Sequence, residues 1–289
     1  MIQDLEFGKL DNQFRQETPA DDDIIVCAQA NKLLAACDKN DILTLPTWKQ
    51  IKEWSVDWNC WYDNMPVQYV FTLHDKKYFL WMGEAGQPAD KNFIYEGTRF
   101  YRQLPSKATC FALMTAWHLF VWYRANRFCG CCGHPTVHDD KERMMKCPQC
   151  GNMIFPRISP AVIIALTDGD KIMLAQHAAL KQKRYGLLAG FIEIGETAEE
   201  AVAREIMEEV GLKVKNIRYY KTQPWGIVGN LSLGYYCELD GNAEVTLDEN
   251  ELSAAEWHHR DSIPAEAADD GISLTREMIR IFSEGKEPK

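Results

Sequence analysis

Hydrophobic and polar positions alternate in some segments of the chain and follow helical spacing in others. Alternation across residues 67–83 predicts a β-hairpin with its turn at residues 74–76. Two apolar strands joined by an Asp-Gly-Asp turn are predicted across residues 161–177. Residues 108–123 are largely apolar, but this run is shorter than the roughly 20 residues that a membrane helix needs. It therefore predicts a buried helix.

The clearest helical signal lies in the most acidic part of the chain. Thr197, followed three residues later by Glu200, forms a capping box, and Gly211 is a natural helix end. Between these limits, apolar residues recur on one helix face: Ala198, Ala201, Val202, Ile206 and Val210. A strand near residues 232–239 and a helix near residues 273–283 follow. Strands and helices mixed in this order predict an α+β fold in which helices cover both faces of a sheet.

Composition narrows the class of protein. The 289 residues are 46% hydrophobic and 26% charged, as in a soluble globular protein. The net charge of -10 argues against tight nonspecific binding to duplex nucleic acid, which needs a cationic surface. A small anionic substrate stays compatible, because a bound divalent metal reverses the local charge. No secretory signal is recognisable at the start, so a reducing cytoplasm is expected, where the ten cysteines would not form a disulfide framework.

Four cysteines have the spacing of a zinc site. They form C-x2-C, fourteen residues and a second C-x2-C: Cys129, Cys132, Cys147 and Cys150. Each C-x2-C turn delivers two thiolates to one side of a metal, and four cysteines close a tetrahedral shell, which predicts a structural Zn²⁺. Cys131 lies between two ligands and is an alternative ligand. A zinc ribbon can also bind nucleic acid, but the acidic charge of the chain makes this the weaker alternative.

The acidic helix carries the second candidate site. Residues four apart share a helix face, so Glu205 and Glu209 point to the same place, with Glu208 beside them. Like charges at this spacing repel one another, which indicates a cation between them. Carboxylates suit Mg²⁺ or Mn²⁺, and Arg204 is placed to steady one of the glutamates. On the helix alone, a solvated acidic face is an equal alternative.

One pattern spans this helix and the loop before it: G-x5-E-x7-R-E-U-x-E-E-x-G-U, where U is a bulky apolar residue. Its fixed positions are filled by Gly190, Glu196, Arg204, Glu205, Ile206, Glu208, Glu209, Gly211 and Leu212. The pattern resembles the signature of the Nudix hydrolases. This resemblance implies an α/β/α sandwich with a mixed sheet. It also implies metal-assisted hydrolysis of a nucleoside diphosphate that is linked to another moiety.

The resemblance assigns roles to the residues of the signature. It implies that Glu205 and Glu209 bind Mg²⁺ or Mn²⁺, with Glu208 close by and the carbonyl of Ala189 as a further ligand. Divalent cations neutralise charge on a diphosphate and lower the pKa of an attacking water, and a nearby carboxylate accepts its proton. The catalytic set comprises these three glutamates and Arg204. Which glutamate is the base stays open.

A narrower resemblance comes from residues around the signature. A four-cysteine ribbon directly before it, behind an N-terminal domain, looks like the NADH pyrophosphatase branch. That branch carries SQPWPFPxS after the signature, and TQPWGIVGN at residues 222–230 keeps the first half and loses the second. The resemblance implies substrate contacts at Gln223, Pro224, Trp225 and Asn230.

Turn chemistry predicts that residues 222–230 form a loop. Pro224 fixes the backbone before Trp225, so a rigid ring is presented to a nucleotide at little entropic cost. The alternative is a buried Trp225 that anchors the loop.

Local similarity to the same branch implies further site residues. Glu251 corresponds to a downstream glutamate of the metal site, and Glu142 to a residue that contacts the nucleotide. Phe191 and Phe155 correspond to aromatic residues near the substrate, with core packing as the alternative for both. Thr275 falls in a C-terminal substrate segment.

The predicted organisation is an N-terminal α+β domain at residues 1–126, a zinc ribbon at residues 127–155 and a Nudix domain at residues 156–289. The N-terminal domain is expected to pack, position or dimerise, and Arg99 within it matches a basic residue of the branch.

The implied activity is hydrolysis of NADH or NAD⁺ to nicotinamide mononucleotide and AMP by a cytoplasmic homodimer without a membrane partner. Because GIVGN departs from the branch signature, another nucleotide such as ADP-ribose, FAD or another dinucleotide is the alternative. The net charge disfavours long RNA contacts and leaves the 5′ NAD cap as the part of an RNA that would bind. An inactive nucleotide-sensing protein is a third alternative, although none of the signature glutamates is missing.

Overall fold

The described residues form two compact units, treated separately below. The computed structural model describes residues 1–5, 8–37, 43–54, 58–62, 66–97, 106–179 and 184–288. The first unit consists of residues 2–157 and 226–229, and the second of Met1 with residues 158–225 and 230–289. The predicted division into three domains stays a prediction, and Arg99 lies outside the described residues.

The first unit is built from short strands and two helices. Its described helices are α1 (Trp48–Trp54) and α2 (Lys107–Ala125). Its described strands are β1 (Ile24–Val26), β2 (Ala28–Gln29), β3 (Lys32–Cys37), β4 (Leu43–Thr44), β5 (Val67–Leu73), β6 (Lys76–Trp81), β7 (Phe93–Gly97), β8 (Val137–His138), β9 (Met145–Lys146) and β10 (Met153–Ile154). They form sheets in the orders β2-β3-β4 with β7 beside β3, β1-β6-β5, and β10-β9-β8.

The hairpin of β5 and β6 confirms its prediction. Leu73 pairs with Lys76, and the two residues between them, His74 and Asp75, have φ values of 49° and 62°. Positive φ at both central positions is what a two-residue hairpin turn of type I′ requires. The alternation of hydrophobic and polar residues in the two flanking strands was therefore sufficient to predict the turn.

The apolar run is a buried helix, as its pattern predicted. Helix α2 begins after Ser106, whose side chain accepts a hydrogen bond from the backbone N–H of Thr109 at 3.2 Å. Trp117 and Phe120 are 6% and 1% exposed in the core of the first unit. Among the residues that the structure describes, no helix is both long enough and apolar enough to span a bilayer.

The second unit is a mixed sheet with a helix on each face. Its strands are β11 (Ser159–Asp168), β12 (Lys171–His177), β13 (Leu188–Phe191), β14 (Val214–Trp225), β15 (Asn230–Leu239) and β16 (Leu252–His259). Its helices are α3 (Ala198–Val210) and α4 (Leu274–Ser283), with 3-10 turns at Arg260–Ser262 and Ala265–Ala267. The order is β14-β15-β11-β12-β16, with β13 also on β11. Only the β11–β15 pair is parallel among these pairings of described strands.

Two apolar layers explain why the sheet is covered on both faces. On one face, Ile206 of α3 packs with Val162 and Ile164 of β11. On the other face, Met278 of α4 packs with Ala165. Because successive strand residues point to opposite faces, β11 supplies both cores, and the predicted α/β/α sandwich is confirmed.

Helix α3 has the predicted start and end. The Thr197 side chain accepts from the Glu200 N–H at 3.2 Å, and the Glu200 carboxylate accepts from the Thr197 N–H at 2.8 Å. Gly211 has φ 70° in the left-handed region, where glycine carries no Cβ penalty. Both ends of the helix were therefore encoded locally.

The loop predicted at residues 222–230 is wrong. Strand β14 continues through Trp225, which pairs with Asn230 at the start of β15, so the segment is a strand, a tight turn at residues 226–229 and a second strand. Pro224 fits because β14 is an edge strand, and an edge strand has one side on which no ladder donor is needed.

Candidate active site and zinc site

The four spaced cysteines converge. Their sulfur atoms all lie within 4.8 Å of one another. Two short distances cross between the knuckles: 3.6 Å from Cys129 to Cys150 and 3.4 Å from Cys132 to Cys147. Four thiols at this separation fit a single tetrahedral Zn²⁺.

The two knuckles share one local geometry. The Gly133 N–H donates to the Cys129 carbonyl at 2.8 Å, and the Gly151 N–H donates to the Cys147 carbonyl at 3.0 Å. Both glycines have positive φ, 75° and 76°, so the tight turn needs them. Strands β8, β9 and β10 hold the knuckles together.

Backbone amides favour the thiolate form of one cysteine in each knuckle, Cys129 and Cys147. The pKa of Cys129 is lowered to about 6, because the backbone N–H groups of Cys132 and Cys131 point at its sulfur. The thiolate is the form that binds metal. Cys131 is exposed and is not one of the four thiols that converge.

The acidic face of α3 is buried at two of its three glutamates. Glu205 and Glu209 are 8% and 2% exposed, whereas the Glu208 side chain is 59% exposed. Among the described residues, Glu209 Oε2 has no hydrogen-bond partner. Two carboxylates buried side by side are costly unless a cation compensates them. The burial therefore contradicts the alternative of a solvated acidic face.

The electrostatics of Glu209 point the same way. Burial, and after it the charges of Glu205, Glu251, Asp248 and Glu208, together raise its pKa to about 8. The pKa of Glu205 is also raised, mainly by burial, and is lowered in part by Arg204. Carboxylate oxygens are the ligands that Mg²⁺ and Mn²⁺ prefer, so the residues present fit a divalent cation.

Gly190 makes room for Glu205. A Cβ atom at position 190 would lie 1.8 Å from Glu205 Cδ, so any side chain there would displace the carboxylate. Gly190 belongs to β13, and the preceding Ala189 pairs with Ile163 of β11. Strand β13 therefore carries both Ala189 and the glycine that leaves room for the Glu205 carboxylate.

Arg204 organises the signature residues. It donates to both oxygens of Glu196 at 2.8 and 2.9 Å, the bidentate geometry that suits a guanidinium. Its Nη1 donates to Glu205 at 2.8 Å and to Glu208 at 2.9 Å, and its Nη2 donates to the Phe191 carbonyl at 2.9 Å. One side chain thus ties the helix to the loop before it.

Glu196 is a partner of Arg204 and not a member of the buried acidic pair. Its pKa is lowered to about 2, first by Arg204 and then by the backbone N–H of Glu193. Its charge is therefore compensated within the protein. The spacing of the signature alone did not distinguish Glu196 from the glutamates that face the site.

Asp248 is a site residue that the sequence reasoning missed. Its backbone N–H donates to the Glu209 carbonyl at 3.0 Å, and the Glu251 N–H donates to the Asp248 carbonyl at 3.2 Å. The turn thus brings both side chains to the end of α3. The sequence signal for it is the run DENEL, residues 248–252, which contains Asp248 as well as the predicted Glu251.

The predicted substrate residues of the second unit occupy different environments. Gln223 is buried, donates to the Ile272 carbonyl and accepts from the Leu274 N–H, both at 2.8 Å, which ties β14 to the start of α4. Trp225 is half-buried and Pro224 is exposed. Their substrate contacts stay predictions.

Asn230, Thr275 and Phe191 lie elsewhere in the same unit. Among the described residues, the buried Asn230 Oδ1 has no hydrogen-bond partner. Thr275 is half-buried in the first turn of α4. The Phe191 side chain is 54% exposed, so its ring is not core packing.

Two predicted substrate residues belong to the first unit. Glu142 is exposed, and its backbone N–H donates to Asp139 at 3.1 Å. Phe155 is 52% exposed, which contradicts the core-packing alternative here too.

The part of TQPWGIVGN that departs from the branch signature packs tightly within the first unit. A Cβ at Gly226, where the signature has proline, would lie 2.3 Å from the Met114 carbonyl oxygen of α2. A Cβ at Gly229, whose φ is 77°, would lie 3.1 Å from His118 Nε2. Close approach to α2 is thus a physical reason for glycine at position 226.

Comparison with known families identifies two domains. Residues 157–278 match the NUDIX domain, and residues 124–155 match the NADH pyrophosphatase zinc ribbon domain.

Curated relatives and solved structures were compared as well. The "NAD-capped RNA hydrolase NudC" of Salmonella paratyphi C is 44% identical over 146 residues, 50% of this chain and 56% of the relative. The protein of the same name from Citrobacter koseri is 43% identical over the same shares. The chain therefore matches little more than half the length of these relatives. A crystal structure of a NUDIX hydrolase from Nitrosomonas europaea is 22% identical, with 55% of this chain and 91% of that chain covered and a TM-score of 0.47.

Proposed function

We propose that the chain hydrolyses the diphosphate bond of NADH or NAD⁺, because residues 157–278 match the NUDIX domain and residues 124–155 match the NADH pyrophosphatase zinc ribbon domain. The products are nicotinamide mononucleotide and AMP. The observation that supports an active hydrolase is the buried pair Glu205 and Glu209, because Glu209 keeps an unpaired oxygen among the described residues. A protein that only senses nucleotides has no need of this costly arrangement.

Glu205, Glu209, Glu251 and the carbonyl of Ala189 would hold Mg²⁺ or Mn²⁺. When bound, such a cation neutralises charge on the diphosphate and lowers the pKa of an attacking water. Arg204 holds Glu205 and restrains the exposed Glu208 through hydrogen bonds of 2.8 and 2.9 Å. One of Glu205, Glu208 and Glu209 accepts the proton of the water.

The same proposal assigns the substrate contacts. Phe191 and Phe155 offer half-exposed rings for the bases. Trp225 follows the rigid Pro224 at the end of β14. The remaining proposed contacts are Glu142, Gln223, Asn230 and Thr275. The working form is a cytoplasmic homodimer.

NAD-capped RNA is a second candidate substrate. It is favoured by the relatives, which are named NAD-capped RNA hydrolases. The net charge of -10 limits contacts with a long RNA, so the cap is the group that would occupy the site.

A substrate panel tests the proposal. The purified protein is incubated with Mg²⁺ or Mn²⁺ and with NADH, NAD⁺, ADP-ribose, FAD, diadenosine compounds or NAD-capped RNA, and the products are resolved by chromatography. We expect AMP and reduced nicotinamide mononucleotide, formed fastest from NADH. Faster cleavage of ADP-ribose would overturn the substrate, and no turnover of any compound would overturn the enzyme.

A further inference from the structure

The first unit contains a cleft outside the carboxylate and cysteine sites. Its volume is 810 Å³, within the range of small-molecule sites. Residues 59–62, Glu84 and parts of the segment 127–140 line it.

Arg127 is the central charged group of this cleft. Its guanidinium carbon lies 5.3 Å from the centroid of the Trp61 ring and 5.4 Å from that of Phe128, within cation–π range of both. In the part of the chain that the structure describes, its side chain makes no hydrogen bond and no ion pair. A guanidinium held in place with free donors suits the bidentate binding of a phosphate.

The two rings beside Arg127 differ in their support. Trp61 is backed by Phe120 of the core, with ring centroids 5.5 Å apart. Phe128 is 54% exposed, and its backbone bridges to Pro135 in the cysteine ribbon. A fixed and accessible aromatic face next to a cation is the combination on which nucleobases stack.

The rest of the lining offers hydrogen-bond acceptors. Glu84 accepts through Oε2 from the Ala30 N–H at 3.3 Å, and Asp140 accepts through Oδ1 from Gln16 at 3.0 Å. The second oxygen of each carboxylate has no partner among the described residues. Burial lowers the pKa of His138 to about 4, so it adds no positive charge near neutral pH. These acceptors suit the amino group of a base.

We propose that this cleft binds a nucleotide, with its phosphate on Arg127, its base on Phe128 and the amino group of the base at Glu84 or Asp140. The bound nucleotide is either a free mononucleotide or one residue of a single-stranded RNA. Binding here requires no hydrolysis, so it stands apart from the proposed reaction.

Calorimetric titration of the full-length protein, without added divalent metal, tests this site. The probes are AMP, UMP, inorganic phosphate and a short 5′-phosphorylated oligoadenylate. We expect Arg127→Gln and Phe128→Ala each to weaken binding of AMP about tenfold. Lys107→Gln, which removes an exposed charge of the same unit, should leave the affinity within about twofold. Arg127→Lys should bind with intermediate affinity, because it keeps the charge and loses the fork.

The probes separate the two sources. Tighter binding of the oligoadenylate than of AMP, lost in Arg127→Gln, identifies a strand-binding site, and the reverse order identifies a free nucleotide. Unchanged affinity in both Arg127→Gln and Phe128→Ala would overturn the site. So would equal affinity for AMP, UMP and inorganic phosphate, or no binding at all. Zinc content and thermal unfolding show whether each variant is folded. AMP has no diphosphate bond, so failure here leaves the proposed hydrolysis untouched.

Discussion

The cysteine cluster and the carboxylate cluster are both candidate metal sites, but they are built in opposite ways. The four thiols converge within 4.8 Å of one another, and backbone amides lower the pKa of Cys129 and Cys147. The carboxylates of Glu205 and Glu209 are buried among further acids, which disfavour their ionised form. The four thiols would close a shell around Zn²⁺, whereas Glu209 Oε2 has no hydrogen-bond partner among the residues that the structure describes. A metal with four protein ligands stabilises the fold, whereas a metal with open coordination positions can bind substrate and water.

The largest expected effect is a loss of stability when a ligand of the four-cysteine site is removed. Cys147→Ala removes a buried ligand, and zinc binding supplies roughly 10–16 kcal/mol to the folding of small zinc domains. We expect loss of zinc and a much lower unfolding temperature, measured by metal analysis and calorimetry. Cys131→Ala is the matched control and should keep its zinc. A Cys147→Ala protein with full zinc content would refute the four-thiolate site.

At the open site the expected loss is of activity and not of folding. Glu209→Gln keeps the shape of the side chain but removes the charge that faces the cation, so hydrolysis of NADH should fall about 10²–10³-fold. The unfolding temperature should not fall, because a neutral amide avoids the cost of a buried charge. Glu244→Gln, at an exposed glutamate of the same unit, should keep full rate. Full rate in Glu209→Gln would show that the metal assignment is wrong.

A smaller loss of activity is expected when a side chain is introduced at Gly190, beside the Glu205 carboxylate. Gly190→Ala places a Cβ 1.8 Å from Glu205 Cδ, so the carboxylate must move. Activity should fall about tenfold, with a stability loss of about 1–3 kcal/mol, as for other overpacked sites. At Gly186 a Cβ meets nothing within 4 Å, so Gly186→Ala should change neither quantity. Steady-state kinetics and calorimetry compare the two variants, and equal behaviour would contradict the steric role of Gly190.

The smallest effect is a pH dependence of stability without added divalent metal. The pKa of Glu209 is raised from 4.5 to about 8 in the folded chain, so the native state holds a proton that the unfolded state has released. This stability is complete below the unfolded pKa and is lost as pH rises through about 8. We expect the unfolding temperature to fall by about 5 °C from pH 5 to pH 8.5. Glu209→Gln or added Mg²⁺ should flatten that slope; the same slope in Glu209→Gln would assign it to another group.

Local chemistry made much of the fold predictable. The capping box of Thr197 and Glu200 and the hairpin turn at His74 and Asp75 depend on neighbours in sequence, and both were predicted correctly. Helical periodicity also identified Glu205 and Glu209 as a pair. The strand through Pro224 was missed, because local turn signals do not reveal that β14 lies at a sheet edge.

The sequence predicted those site residues that lie on one helix, but not the contacts that the tertiary structure brings about. Asp248 comes to Glu209 through the turn before β16, a tertiary arrangement that no sequence spacing encodes. The pairing of Glu196 with Arg204 is likewise a matter of folding, since eight positions separate the two residues. Residue types indicated the chemistry, and the fold decided which carboxylates remain uncompensated.

The contact between Gly190 and Glu205 has a genetic consequence. A side chain at position 190 and the Glu205 carboxylate compete for the same space, so we expect the residues at these two positions to covary. Glu205→Asp shortens the side chain by one methylene, which gives an alanine at position 190 part of the room it lacks. The double variant Gly190→Ala with Glu205→Asp should then lose less activity than the two single losses combined would predict. A saturation library at both positions, selected for hydrolysis, would reveal this dependence as pairs of tolerated residues.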